Sequence, residues 1–157
     1  MKRLHVHIAV ADLAPNIEFY STLFGQPPVV VEADYAKWEL EDPRVNFAIS
    51  TRAARTGLDH LGIQVEEEGE LAVVQARLEQ AGLPGEAQAG TACCYARSDK
   101  YWTADPQGIA WEAFHTLESV PTFNERDSGG VAEGACCTPS GLQDSAAVSL
   151  DALKGRR

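Results

Sequence analysis

The sequence predicts an α+β fold built from two β-α-β-β-β modules and followed by a flexible C-terminal tail. Three observations carry this reading. A strand–helix–three-strand order of hydrophobic patterns occurs twice, in residues 3–50 and again in residues 58–116. His5 and His60 lead the first strand of each copy, and Val10 and Val65 keep the same offset. Beyond Thr116 the composition turns to Gly, Ser, Pro and acids, with few large apolar residues.

The elements follow in order. Residues 3–10, "RLHVHIAV", alternate and carry β-branched side chains, which suits a strand. Asp12 is placed to N-cap a helix, with Pro15 in its first turn; Ile17, Tyr20, Leu23 and Phe24 recur at helical spacing, and Gly25 stops it. Residues 28–33, 35–40 and 45–50 read as strands, broken by "EADY" and "EDPR". The second copy opens with the strand "DHLGIQV", then an acidic helix start and a helix from about Glu70 to Gln80, ended by a glycine. Strands are expected around 86–89, at 92–96 or 100–104, and at 109–116. Residues 1–118 thus make the folded domain. Residues 119–157 cannot bury enough surface to offset their ordering entropy. They are expected to form a mostly disordered acidic, Gly/Ser-rich tail with a weak helix near 145–154, carrying Cys136 and Cys137.

A formal charge of −10 over 157 residues excludes nucleic acid and anionic membrane surfaces as partners, since both demand a basic face. No apolar run reaches membrane-spanning length, and "MKRLHVHIAV" turns polar too soon for a signal peptide. The expectation is a cytoplasmic protein, monomer or homodimer, that acts on a small molecule.

The repeat brings two histidines to equivalent positions, so packing the halves about a pseudo-two-fold axis would gather His5 and His60 at one site. Glu112, in the last strand, lies between Trp111 and Phe114 in otherwise apolar surroundings, where a carboxylate is costly unless paired or bound to a cation. Two imidazoles and one carboxylate with open positions form the facial triad of non-haem Fe(II) oxygen chemistry; the same set serves zinc, manganese or nickel. His7 lies two residues from His5 on the same strand face and competes with it. The repeat favours His5 as ligand and leaves His7 to line the cavity. The first-half strand matching that of Glu112, "RVNFAIS", offers no acid, which favours an open, catalytic site.

All four cysteines stand in vicinal pairs, Cys93–Cys94 and Cys136–Cys137. A disulfide between neighbours closes a strained ring, and a reducing compartment opposes disulfides altogether. The bland reading is four buried, inert thiols; the alternative is that a vicinal pair clamps a soft, thiophilic centre between two thiolates.

The segments "HVHIAVADLAPNIEFYSTLFG", "DHLGIQV" and "DPQGIAWEAF" resemble the vicinal oxygen chelate superfamily of glyoxalases, bleomycin-resistance proteins and extradiol dioxygenases. The stretch "CCYARSDKYWTADPQGIAWEAF" resembles, more narrowly, the carbon–arsenic lyases and cadmium-induced proteins of that superfamily. The resemblance implies a curved mixed sheet around a metal site and Fe(2+)-dependent, O2-consuming cleavage of trivalent organoarsenicals such as methylarsonous acid. It puts the metal ligands on His5, His60 and Glu112 and the substrate thiols on Cys93 and Cys94. Because neighbours in a regular strand face opposite ways, the thiol pair is expected in an irregular loop, with Tyr95, Lys100 and Tyr101 closing the cavity. Two other readings compete: sequestration of cadmium or arsenic without turnover, for which Cys136 and Cys137 would serve as accessory thiols, and a glyoxalase-type isomerase or drug-binding protein.

Overall fold

The computed structural model describes residues 1–83 and 85–121. The expected tail helix and the Cys136–Cys137 pair lie outside the described residues. Strand β1 (Arg3–Ala9) leads into helix α1 (Leu13–Phe24). The Asp12 carboxylate accepts the Ala14 amide at 3.0 Å, and Gly25 closes the helix at φ 68°, a left-handed value that glycine adopts freely. Strands β2 (Val30–Val31), β3 (Tyr35–Glu41) and β4 (Arg44–Ser50) complete the first module. The strand expected over 28–33 shrinks to two residues because Pro27 and Pro28 offer no amide donors. The second module holds β5 (Gly57–Val65), α2 (Glu68–Gln80), β6 (Glu86–Cys93), β7 (Ala96–Ala104) and β8 (Ala110–Ser119). Helix α2 starts ahead of Glu70, with Glu68 and Glu70 favouring its N-terminal dipole.

The strands form one 8-stranded mixed sheet in the order β2-β3-β4-β1-β5-β8-β7-β6. Within each module the first strand pairs in parallel with the last, β1 with β4 and β5 with β8. The modules join through the antiparallel pair β1–β5, so the sheet curls as a half-barrel about that seam.

Period-two alternation sorts each strand. Trp38, Leu40, Phe47 and Ile49 pack beneath α1 with its Ile17, Tyr20 and Phe24. Val65, Tyr101 and Ala113 pack with Leu71, Val74 and Leu78 of α2. Trp38 is fully buried, and truncating it to Ala would cost about 3–5 kcal/mol. The buried polar side chains, His5, His7, His60, Lys100 and Glu112 among them, take the concave face. Among the described residues no helix is long and apolar enough to cross a membrane.

Candidate metal centre

The repeat equates His5 with His60, but the antiparallel seam sets His7 opposite His60 and His5 opposite Gly62. Gly62 in turn lies beside Glu112 across β5–β8. This diagonal arrangement brings Nε2 of His5 within 3.1 Å of Nε2 of His60. Oε1 of Glu112 stands 3.4 Å from the first and 3.3 Å from the second. All three residues are buried.

The outer nitrogen of each imidazole is committed. Nδ1 of His5 lies 3.0 Å from the Asn46 carbonyl, which only accepts, so that nitrogen carries the proton and Nε2 turns a lone pair inward. Nδ1 of His60 donates to Asp59 Oδ1 at 2.6 Å. Adjacent strand residues should face apart. Here the register slips between His7 and Ile8, leaving Asp59 as a bulged residue whose carboxylate reaches back to its neighbour.

Three acceptors thus point at one spot, an arrangement that repels itself unless a cation or proton occupies it. Ligand bonds of about 2.0–2.2 Å separate neighbouring donor atoms by about 3–3.5 Å, the spacing found among these atoms. The titration behaviour agrees. Burial, with the positive charges of His60 and Lys100, pushes His5 down to about 3 against the pull of Glu112. Burial also opposes charge on His60, but hydrogen bonds to Asp59 and Glu112 outweigh it and hold the imidazole up at about 9. Burial raises Glu112, yet Lys100 and His60 bring it well below the usual carboxylate range. A proton on His60 and the charge of Lys100 balance the acid, and a divalent cation would displace that proton.

Lys100, expected either to open a strand over 100–104 or to lie on the loop closing the cavity, sits in the middle of β7 and is buried. Its Nζ donates to Glu112 Oε2 at 2.9 Å, leaving Oε1 for the imidazoles. The ammonium also lies 5.6 Å from the Trp102 ring and 5.8 Å from Phe114. His7 offers a second triple, since ligand-capable atoms of His5, His7 and His60 lie within 4.8 Å of one another. Nε2 of His7, however, bonds Ser50 Oγ at 3.0 Å. Glu112 makes the tighter, charge-balanced set.

The cysteine pair lies on a tight hairpin rather than in an irregular loop. Cys93 ends β6, and Cys94 and Tyr95 form a two-residue turn at φ 55° and 60°. Such left–left turns favour Asn-Gly, and non-glycine residues there cost about 1–3 kcal/mol each. The turn folds neighbouring sulfurs to one side, with Sγ atoms 3.3 Å apart. That is beyond an S–S bond of about 2.05 Å, so the strained vicinal ring is not formed. Cys94 is a free thiol. A dithiol clamp needs both sulfurs reduced.

Both cysteines, His5, Lys100, Glu112 and Phe114 line one cleft that opens to solvent. Cys94 and Tyr95 pack on Tyr35 and Ala48. Ala48 faces His7 across β1–β4 as Glu112 faces Gly62 across β5–β8. Tyr101 does not close the cavity: alternation turns it to the opposite face, against α2. Asp59, Asn46, Ser50 and Gly62 escaped the sequence reading. The adjacency of Asp59 to His60 was its one visible signal, masked by strand alternation.

The sequence pattern of the "Glyoxalase/Bleomycin resistance protein/Dioxygenase superfamily" matches residues 2–113. The "Trivalent organoarsenical cleaving enzyme" of Bacillus sp. (strain MD1) is 39% identical over 149 residues, covering 89% of this chain and 92% of that protein. "Cadmium-induced protein CadI" of Mycobacterium bovis is 33% identical over 142 residues, covering 87% and 93%. The homoprotocatechuate 2,3-dioxygenase structure from Arthrobacter globiformis aligns at TM-score 0.56 and 19% identity, covering 78% of this chain and 38% of that one. This last likeness is one of fold.

Proposed function

Because the chain belongs to the glyoxalase/bleomycin resistance protein/dioxygenase superfamily, we propose that it is an Fe(II)-dependent, O2-using lyase. It cleaves the carbon–arsenic bond of trivalent organoarsenicals such as methylarsonous acid and releases arsenite, acting in the cytoplasm. The observation that carries this reading is that the thiol hairpin lines the same cleft as His5 and Glu112, two of the three acceptors that converge with His60. Relatives named for organoarsenical cleavage, matched over most of their length, support the substrate class.

His5, His60 and Glu112 are the proposed ligands. Asn46 and Asp59 fix the imidazole tautomers, and Lys100 holds the far carboxylate oxygen so that Glu112 binds through Oε1. Bound there, iron supplies the activation of O2. The reduced Cys93 and Cys94 hold the soft arsenic and leave its carbon directed into the cleft, where Phe114 and Tyr35 give apolar walls that thin the water. We assign all of this chemistry to residues 1–118, with the tail pair Cys136 and Cys137 at most passing substrate to it.

The test is anaerobic reconstitution of reduced protein with Fe(II), followed by exposure to air with methylarsonous acid. Stoichiometric arsenite is expected. Tight binding without arsenite would instead support the second reading, metalloid storage without turnover, for which the cadmium-induced relative speaks.

A further inference from the structure

The turn that carries Cys94 is held from the other module. Cys94 and Tyr95 both sit in left-handed backbone that neither side chain favours, so the hairpin's own sequence does not explain its shape. Contacts beyond the hairpin do. The Tyr95 hydroxyl donates to Asp34 Oδ1 at 2.6 Å, although Asp34 is 61 residues away in the turn between β2 and β3. That turn is itself pinned. Thr51 N–H donates to the Asp34 carbonyl at 3.1 Å, and Glu32 N–H donates to the Tyr35 carbonyl at 2.8 Å. The other carboxylate oxygen of Asp34 is paired with Arg52. The Tyr95 ring lies 5.8 Å from that of Tyr35, which packs with Ala48 under Cys94.

We propose that Asp34 is a positioning residue for arsenic capture: by accepting the Tyr95 hydroxyl it fixes the turn that aims Cys94 into the metal cleft. The inference rests on the proposed function for its ligand, a trivalent arsenical, but it concerns binding and not turnover. Two thiolates chelate one arsenic tightly only when their sulfurs already lie side by side. A turn free to relax from its left-handed conformation would swing Cys94 away from Cys93, and capture would then pay for ordering it again. Among the described residues the Asp34 carboxylate is bonded to Tyr95 and Arg52 and to neither a proposed metal ligand nor a sulfur, so it acts on the thiols through Tyr95.

The experiment uses the full chain, reduced and metal-free, titrated anaerobically with phenylarsine oxide against a competing small dithiol. Tyr95→Phe and Asp34→Ala are each expected to weaken capture by about tenfold or more. Asp34→Asn, whose amide oxygen still accepts, should stay within about threefold of wild type. Iron occupancy should be unchanged in all three, and in turnover KM should rise while kcat holds. Wild-type affinity in both Tyr95→Phe and Asp34→Ala would overturn the proposal. If Asp34→Ala fails to fold, Tyr95→Phe decides alone, because it leaves the Asp34–Arg52 pair in place. A wild-type protein that releases no arsenite, with these affinity differences intact, would refute the lyase reading and leave this one standing.

Discussion

Gly62→Ala is the most searching single substitution at the centre. Gly62 lies between His5 on β1 and Glu112 on β8, so a methyl group there would enter the space between two proposed ligands. A Cβ built on Gly62 would meet the Glu112 carbonyl oxygen at 2.4 Å and its Cγ at 2.9 Å. Carbon atoms prefer about 3.5–4.0 Å, so the Glu112 side chain must retreat by about 0.6–1 Å. Metal–ligand distances tolerate only about 0.2 Å, and disturbing a group that orients a ligand costs about 10–100-fold in metal affinity. Overpacking adds about 1–3 kcal/mol of destabilisation. For a chain of this size that lowers Tm by roughly 2–12 °C. Equilibrium dialysis against Co(II) or Fe(II) with elemental analysis reads the affinity, and calorimetry reads Tm. Gly69→Ala, in α2 with nothing within 4 Å, is the control and should gain about 0.5–1 kcal/mol. A folded Gly62→Ala protein that binds metal as the wild type does would show that Glu112 is not held as argued.

Further outcomes follow from the same geometry. His5→Ala should abolish metal binding while His7→Ala retains it, measured as iron per protein; the reverse would move the first ligand to His7. With His60 held at about 9 and His5 at about 3, the first is protonated and the second neutral at neutral pH. Metal must therefore displace about one proton from His60. Affinity should rise about tenfold per pH unit up to about pH 9 and then level off; a flat profile between about pH 7 and 9 refutes this assignment. Cys94→Ser in reduced, iron-loaded protein should lose arsenite release by at least about a hundredfold with iron retained, since a hydroxyl is a hard, protonated ligand. Unchanged turnover would remove the thiols from the mechanism.

Much of the architecture was legible because it repeats. The alternation in "RLHVHIAV", the cap at Asp12 and the stop at Gly25 are local signals, and they place β1 and α1 closely. What stayed hidden depends on register. Nothing in the sequence says that β1 and β5 pair with His7 rather than His5 opposite His60, or that the ladder slips at Asp59. Lys100 and Tyr101 could be read as a strand over 100–104 or as loop residues because "CCYARSDKYW" lacks a clear strand period, and their opposite facing follows only once β7 is seen to be continuous. The thiol turn was hardest. Two non-glycine residues in left-handed backbone defy local preference and are held by Asp34, far away in sequence.

Ala48 gives the near-symmetry of the two modules its functional edge. It is the first module's counterpart of Glu112, yet the space above its methyl group is filled by Cys94 and Tyr95. A carboxylate at that position would complete an evenly walled cage and evict the sulfur. Under the proposed function, a fourth protein donor and a thiol-anchored guest would thus be rival tenants of one volume, with a single small side chain deciding between them. The duplicated half-barrel accordingly has a front and a back: a carboxylate stands beside the histidines on the second module's side, and the thiol turn covers the matching place on the first.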